Sequence, residues 1–301
     1  MRTSKWFKLV WIVPTALVLL AAVVLAAQWL RTLTGVQSFL AEYPGESAIP
    51  AGSPVGFPAW LAWQHFLNSF FLLLIIRSGW QVRTVARPAA HWTRNNKGLL
   101  RTKNPPAKIS LTLWFHLSLD ALWVLNGIVF YVLIFATGQW LRLVPQSWDV
   151  FPNALSAALQ YASLNWPTEN GWTNYNSLQL LAYFATTFIA APLAIITGLR
   201  MSGAWPKGAT RVNKIYPVEL ARAIHFPVML YFVFFIIVHV TLVFSTGILR
   251  NLNHMYGGSD STSWVGFWIF AASLVVMAAA WFAARPLFLR SIAALTGSVT
   301  R

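Results

Sequence analysis

Six apolar stretches, each long enough to cross a lipid bilayer as a helix, constrain this chain more than any other feature of its sequence. A hydrocarbon core of about 30 Å requires about 20 apolar residues in a helix. Continuous apolar runs of this length favour helices, which satisfy their own backbone hydrogen bonds without water. The six predicted spans are 9–30, 59–76, 109–136, 178–199, 218–249 and 264–284. The sequence therefore predicts an all-α integral membrane protein with six transmembrane helices.

The composition agrees with this fold and excludes several other classes of protein. Apolar residues make up 57% of the chain and charged residues only 10%, against about 25% charged in soluble domains. The absence of cysteine excludes disulfides, thiolate metal sites and covalently attached c-type haem. Any metal or haem must therefore be held mainly by histidine. The six histidines are His65, His91, His116, His225, His239 and His254.

The basic residues are distributed unevenly between the two sets of loops. Of the 22 lysines and arginines, all but Arg31, Arg142 and Arg250 lie in the two tails and at or within the loops 77–108 and 200–222. Cytoplasmic loops carry the excess of such residues, so a multi-pass protein of the cell membrane with both termini in the cytoplasm is expected. This orientation accounts for the net charge of +15, and anionic lipid rather than nucleic acid is the expected partner of the basic loops.

The first span has a second interpretation, as a signal peptide. Basic residues precede it, and Val24-Leu25-Ala26 resembles a cleavage site. Its apolar stretch is longer than the about 7–15 residues of a signal peptide, which favours a membrane anchor. Cleavage would not change the orientation of the other spans.

Four histidines lie inside predicted spans, where ionisable side chains are costly and indicate function. At about 1.5 Å per residue, each lies about 10–12 Å from its helix end. His116 and His225 share an inner level, and His65 and His239 an outer level. The 14 residues between His225 and His239 place both on one helix face, about 21 Å apart. We therefore expect two b-type haems with two axial imidazoles each: His116 and His225 for the inner iron, His65 and His239 for the outer iron. Hydrogen bonds to neighbouring helices are the alternative role of such histidines.

Two glycines and two arginines complete the predicted haem sites. Gly79 and Gly127 each follow the histidine of their own helix by about a whole number of turns, at the level of the other haem. Glycine allows a flat ligand to approach the backbone closely. Arg222 and Arg250 are predicted partners of haem propionates, and interfacial anchoring is their alternative role.

The remaining ionisable residues have simpler expectations. His91 and His254 lie in predicted loops and are expected to contact solvent, with a quinone or a propionate as the alternative partner of His254. Asp120 follows His116 by one turn. It is interpreted either as a proton-transfer group or as a partner in a structural hydrogen bond.

Several short motifs occur in a fixed order over residues 59–258. They are His65, Arg77-Ser78-Gly79, Tyr175-Asn176-Ser177-Leu178-Gln179, Tyr183, Pro192, Thr197-Gly198, Ile224-His225, Val238-His239, Gly247-Ile248-Leu249-Arg250 and Met255-Tyr256-Gly257-Gly258. This order resembles the di-haem cytochrome b subunits that anchor respiratory formate dehydrogenases and nickel–iron hydrogenases. In that family the first two core helices carry one histidine ligand each and the fourth carries two. The resemblance therefore implies the same four ligands: His65, His116, His225 and His239.

The resemblance also implies a function and a domain organisation. Proteins of this family pass electrons between a peripheral redox subunit and membrane quinone, so this chain is expected to be an electron-transfer subunit of an oxidoreductase complex with two non-covalent haem b groups. Residues 58–258 would form a four-helix haem-binding bundle. An N-terminal transmembrane anchor and outer loop (1–57) and a C-terminal helix and cytoplasmic tail (259–301) are additions to the family pattern. A proton-coupled transporter and a stand-alone transmembrane reductase are the alternatives.

Reporter fusions along the chain test the orientation. Fusions at Lys97, at Lys207 and at the C-terminus are expected to report a cytoplasmic location, because basic loops stay on that side. Fusions near Glu46, Glu169 and Asp260 are expected to report an external location. A reversed report from any one loop would contradict the orientation, and with it the matched depths of the four histidines.

Overall fold

The computed structural model describes residues 5–97, 101–102, 105–166, 170–206 and 208–301. Arg2, Lys103, Glu169 and Lys207 lie outside the described residues. The helices in chain order are α1 (Lys5–Leu30), α2 (Thr34–Glu42), α3 (Ala59–Thr84), α4 (Leu111–Ala136), α5 (Val150–Ala162), α6 (Ser177–Phe184), α7 (Ala191–Met201), α8 (Thr210–Ile215), α9 (Val218–Ser245), α10 (Ile248–Leu252), α11 (Val265–Ala283) and α12 (Pro286–Ala294). The strands are β1 (His91–Arg94), β2 (Lys108–Ser110) and β3 (Gly297–Thr300). Short helical turns of other types lie at Gln139–Arg142, Ala185–Ala190 and Asn253–Gly257.

Six helical segments in the described part of the chain are long and apolar enough to cross a membrane, which confirms the predicted number of membrane-length helices. They are Val10–Leu30, Ala59–Thr84, Leu111–Ala136, Ser177–Met201, Val218–Ser245 and Val265–Ala283. The fourth of these consists of α6, the π turn Ala185–Ala190 and α7. Pro192 explains the π turn, because proline lacks an N–H and its ring clashes with the carbonyl four residues earlier.

The span in α3 ends later than predicted. The apolar run stops before Arg77, but the helix continues for about two more turns. The Arg77 guanidinium lies over the ring of Trp281, 4.5 Å from its centroid, and the Arg83 guanidinium lies 4.1 Å from the ring centroid of Phe226. Because the aromatic rings stabilise the two guanidinium groups, the helix can continue through these basic residues with their charges near its end.

The span in α9 ends earlier than the predicted residue 249. Gly247 adopts a φ of +126°, a value that favours glycine and interrupts a right-handed helix. The chain turns there and resumes as the short helix α10.

The chain divides into two compact units. The first comprises Met1–Val55 and Thr137–Ile189, and includes α1, α2, α5 and α6. In this unit, Asn153 Oδ1 accepts the Gly45 N–H at 3.0 Å, and the Ser47 and Ser177 hydroxyls lie 2.8 Å apart. These polar contacts hold the segment after α2 against α5 and α6.

The second unit comprises Gly56–Ala136 and Ala190–Arg301, and contains all six histidines. Within it, α3 packs against α4, and α7 packs against α9. These four helices contribute to one apolar cluster. Its members include Leu72, Ile76, Trp123, Ala190, Ala194, Val228 and Phe232.

A three-stranded antiparallel sheet with the order β2-β1-β3 belongs to the second unit. His91 of β1 pairs with Ser110 of β2 and with Thr300 of β3. The loop after α3 and the segment after α12 therefore lie at the same end of this unit. The four spans between them lead to the same expectation, because an even number of crossings returns the chain to the side from which it started. The all-α prediction did not include this sheet.

Candidate functional site

The second unit brings the four histidines of the spans together as two pairs. The ring centroids of His116 and His225, the inner pair, are 6.5 Å apart with their planes at 86°. The centroids of His65 and His239, the outer pair, are 6.3 Å apart with their planes at 54°. These are the pairs that helix depth predicts. The 14 residues between His225 and His239 separate the two levels by about 21 Å along α9.

A hydroxyl group contacts the Nδ1 atom of each ring in the inner pair. Ser78 Oγ lies 2.9 Å from Nδ1 of His116, and Thr197 Oγ1 lies 2.8 Å from Nδ1 of His225. Each hydroxyl also donates to a carbonyl about one turn earlier in its own helix, at 3.1 Å for Ser78 and 2.6 Å for Thr197. A hydroxyl has a single proton, so it accepts a hydrogen bond from Nδ1–H of the ring. The Nε2 lone pair of both rings is then available to a metal.

A glycine follows each of these hydroxyl residues and lies against the same ring. A Cβ atom on Gly79 would lie 3.1 Å from Cε1 of His116, and one on Gly198 would lie 3.5 Å from Cε1 of His225. The close approach predicted at Gly79 is therefore to an imidazole ring. At Gly127 a Cβ atom would meet nothing within 4 Å, so the space beside this residue is open.

Aromatic side chains surround the outer pair. The Tyr256 ring meets the His65 ring edge-on, with centroids 5.7 Å apart at 90°. The Phe235 ring stacks on His239, with centroids 5.5 Å apart at 5°. Nδ1 of His65 is buried and has no hydrogen-bond partner within the described ranges.

An apolar layer separates the two levels. Trp123 follows His116 by about two turns, and its ring meets that of Phe232 edge-on at 6.3 Å. The indole N–H of Trp123 donates to Asn68 Oδ1 at 3.0 Å, so the one polar group of this side chain has a hydrogen-bond partner. Each histidine pair is therefore bounded on the side of the other by packed side chains.

Both pairs fit an axial ligand set for haem. A metal–imidazole bond is about 2.0 Å long and the ring centre lies about 1.2 Å further on, so two imidazoles on one metal have centroids about 6.4 Å apart. Among the described residues, no group of three or more His, Asp or Glu side chains is placed to hold a bare metal ion. Two imidazoles would complete the coordination of a six-coordinate haem, because the porphyrin supplies the other four ligands.

The predicted propionate partners have different surroundings. Arg222 is exposed. Arg250 forms a two-pronged ion pair with Asp260, with N–O distances of 2.7 and 3.1 Å. The expectation that His254 contacts solvent was wrong: it is 4% exposed, because the turn Asn253–Gly257 packs on α11. Its Nε2 lies 2.8 Å from Asp260 Oδ1.

The other two ionisable side chains lie near the inner half of the unit. His91 is half-buried within β1, so it is less solvated than its loop position predicted. Asp120 lies beside the inner pair, with Oδ2 3.6 Å from Nε2 of His116. That distance exceeds a hydrogen bond.

The sequence analysis did not assign Ser78 and Thr197 as hydrogen-bond partners of the histidines. It also did not place Gly198 against a histidine ring. A serine or threonine followed by glycine occurs at 78–79 and 197–198 but also at five other places in the chain, so this dipeptide alone could not have identified them. No family model, no curated protein and no solved structure matches the chain.

The ion pair of the outer loop generates a prediction on pH. Arg250, and after it His254, holds the pKa of the Asp260 carboxyl well below its usual range. The contribution of this carboxylate to stability is therefore present above its unfolded pKa of about 3.9, and is lost as the pH falls through the lower folded value. We expect Asp260→Asn to raise hydrogen exchange in α10 by a factor that does not shrink between about pH 7 and about pH 5 and is smaller at about pH 3.5, where a carboxyl with the ordinary pKa of about 3.9 is already mostly protonated in the opened state.

Ser261→Ala in the same loop is the matched control, and its exchange in α10 should equal that of the wild type. Protection factors corrected for intrinsic exchange provide the measurement. A factor that does not shrink between about pH 5 and about pH 3.5 would show that the pKa of the Asp260 carboxyl lies at or above its ordinary value of about 3.9, which would contradict the lowering.

Proposed function

We propose that this chain is a membrane di-haem cytochrome b subunit that transfers electrons between a peripheral, dehydrogenase-type redox partner and membrane quinone. The observation that carries the proposal is the two histidine pairs, with ring centroids 6.5 and 6.3 Å apart, at two levels of one helical unit. Each haem, when bound, supplies a one-electron redox centre. The class of partner comes from the sequence resemblance to the cytochrome b subunits of formate dehydrogenases and nickel–iron hydrogenases.

The histidines and their neighbours would bind and orient the two groups. His116 and His225 would hold the inner iron, and His65 and His239 the outer iron. In the inner pair, the hydroxyl contacts at Nδ1 leave Nε2 as the coordinating atom of both rings. This tautomer is the one that an axial ligand needs.

The packing around the pairs would exclude water from both sites. The rings of Tyr231, Phe235 and His239 stack along α9, with centroids 6.4 and 5.5 Å apart. Trp123 and Phe232 pack edge-on against each other between the two levels. An apolar surrounding of this kind controls solvent access and tunes the redox potential of a bound metal group.

The proposal includes a location in the cell membrane with both termini in the cytoplasm. Its support is the concentration of lysine and arginine in the tails and in the loops 77–108 and 200–222. Pairing of β1 with β3 agrees with this orientation, because it puts two of the basic segments at one end of the second unit.

A proton-coupled transporter is the second candidate, and one observation favours it. The Asp120 carboxylate lies 3.6 Å from Nε2 of His116 inside a span, and paired ionisable residues in spans mark proton paths in many transporters. A transporter of this kind needs no haem, so the haem content of the protein separates the two candidates.

Haem content is the first test of the proposal. The purified full chain is expected to show a Soret band and a sharp reduced α-band, with two b-type haems per chain released by acid acetone, because the chain has no cysteine for covalent attachment. A pyridine haemochrome assay against protein concentration gives the stoichiometry. A colourless protein would favour the transporter, and one haem per chain would contradict the two-level site.

Replacement of single histidines tests the pairing. We expect His65→Ala and His239→Ala to lose the same redox component, because each leaves one iron with a single protein ligand. His116→Ala and His225→Ala should lose the other component. The remaining haem, about 21 Å away along α9, shares no ligand and should keep its spectrum.

His91→Ala is the control, since this histidine belongs to neither pair, and it should retain both components. Potentiometric titration of the reduced α-band distinguishes the components. If His65→Ala matched His225→Ala instead, the assignment of ligands to the two irons would be wrong.

A further inference from the structure

The inner histidines are held in the same way by two different helices. Ser78 of α3 contacts His116 of α4, and Thr197 of α7 contacts His225 of α9. Ser78 is 0% exposed and Thr197 is 1% exposed. Water therefore does not compete for either hydroxyl group. The same arrangement occurs twice in one site, each time with the glycine of the following position against the ring.

The direction of both hydrogen bonds follows from the neighbouring acceptors. The Ser78 hydroxyl proton is directed to the Ile75 carbonyl, and that of Thr197 to the Leu193 carbonyl. The Ile75 carbonyl also lies beside the His116 ring. A carbonyl is only an acceptor, so each hydroxyl group uses its one proton there and accepts at its oxygen from Nδ1–H of the ring.

A donor bond from Nδ1–H has a known effect on a metal-bound imidazole. It fixes the ring orientation and raises the basicity of the coordinating nitrogen. A more basic axial ligand stabilises ferric iron more than ferrous iron, so the reduction potential falls. In contrast, Nδ1 of His65 in the outer pair has no such partner within the described ranges.

We propose that Ser78 and Thr197 are positioning residues of the inner haem, which hold its two axial imidazoles by Nδ1–H and lower its reduction potential. This inference rests on the proposed function. It assigns to two residues a role that acts through the histidines, without contact between the hydroxyl groups and the iron.

The experiment measures the midpoint potentials of both haems in the purified full chain. Ser78→Ala and Thr197→Val each remove one hydroxyl, and valine keeps the shape of threonine. Each is expected to shift the equilibrium constant for reduction of one haem upward about three- to tenfold, which is about 30–60 mV for a one-electron couple. The shifted component should be the one that His116→Ala lacks, and the other should not move. The conservative variants Ser78→Thr and Thr197→Ser should retain the wild-type potential.

Ser118→Ala is the matched control. Ser118 lies on α4 two residues after His116, and its hydroxyl donates to the Trp114 carbonyl at 2.8 Å. This replacement removes a hydroxyl of the same helix without changing the Nδ1 bond, so both potentials should stay at the wild-type values.

The outcomes separate this inference from the proposed function. A wild-type protein without haem overturns the proposed function and the inference with it. Two bound haems with unchanged potentials in both Ser78→Ala and Thr197→Val overturn the inference alone, as does a shift in the component that His65→Ala lacks. If Ser78→Ala fails to fold, Thr197→Val decides, because each hydroxyl acts on its own ring. Loss of the inner haem alone in an apolar variant, with retention in its conservative counterpart, supports the positioning role.

Discussion

The hydrocarbon core of a membrane offers no hydrogen bonds, and this constraint accounts for most polar contacts in the spans. Hydroxyl groups such as those of Ser69 and Thr241 donate to a carbonyl one turn earlier in their own helix. An imidazole ring cannot satisfy both of its nitrogens in this way. The four histidines of the spans are grouped in two pairs, with ring centroids 6.5 and 6.3 Å apart. Their grouping concentrates the polar chemistry of the second unit at two levels.

The sequence predicted the spans because apolar length alone determines them, and it predicted the histidine pairs because depth in a helix follows from residue counts. The predicted end of the span in α3 was wrong because a charged residue such as Arg77 ends an apolar run. In the structure the Arg77 guanidinium lies over an aromatic ring, and the helix continues. The haems, the quinone and the division into 1–57, 58–258 and 259–301 stay predictions.

Other features depend on contacts between residues far apart in the chain, which leave no local pattern. The strands β1 and β3 are four residues each and about 200 residues apart, too short for periodicity to reveal. Ser78 and Thr197 look like ordinary back-bonded hydroxyl residues, and only the packing of α3 on α4 and of α7 on α9 brings each to a ring. His254 was misjudged because a turn of a short loop buries it.

The sheet β2-β1-β3 has a consequence for the order in which the protein is assembled. Both β1 and β2 are synthesised before α4, whereas β3 follows α11 and α12. Its register of His91 with Thr300 can form only when an even number of the spans from α4 to α11 has crossed the bilayer. An odd number of insertions would leave the strands on opposite faces. Pairing of the third strand on one face of the membrane thus depends on the parity of the insertions that precede it.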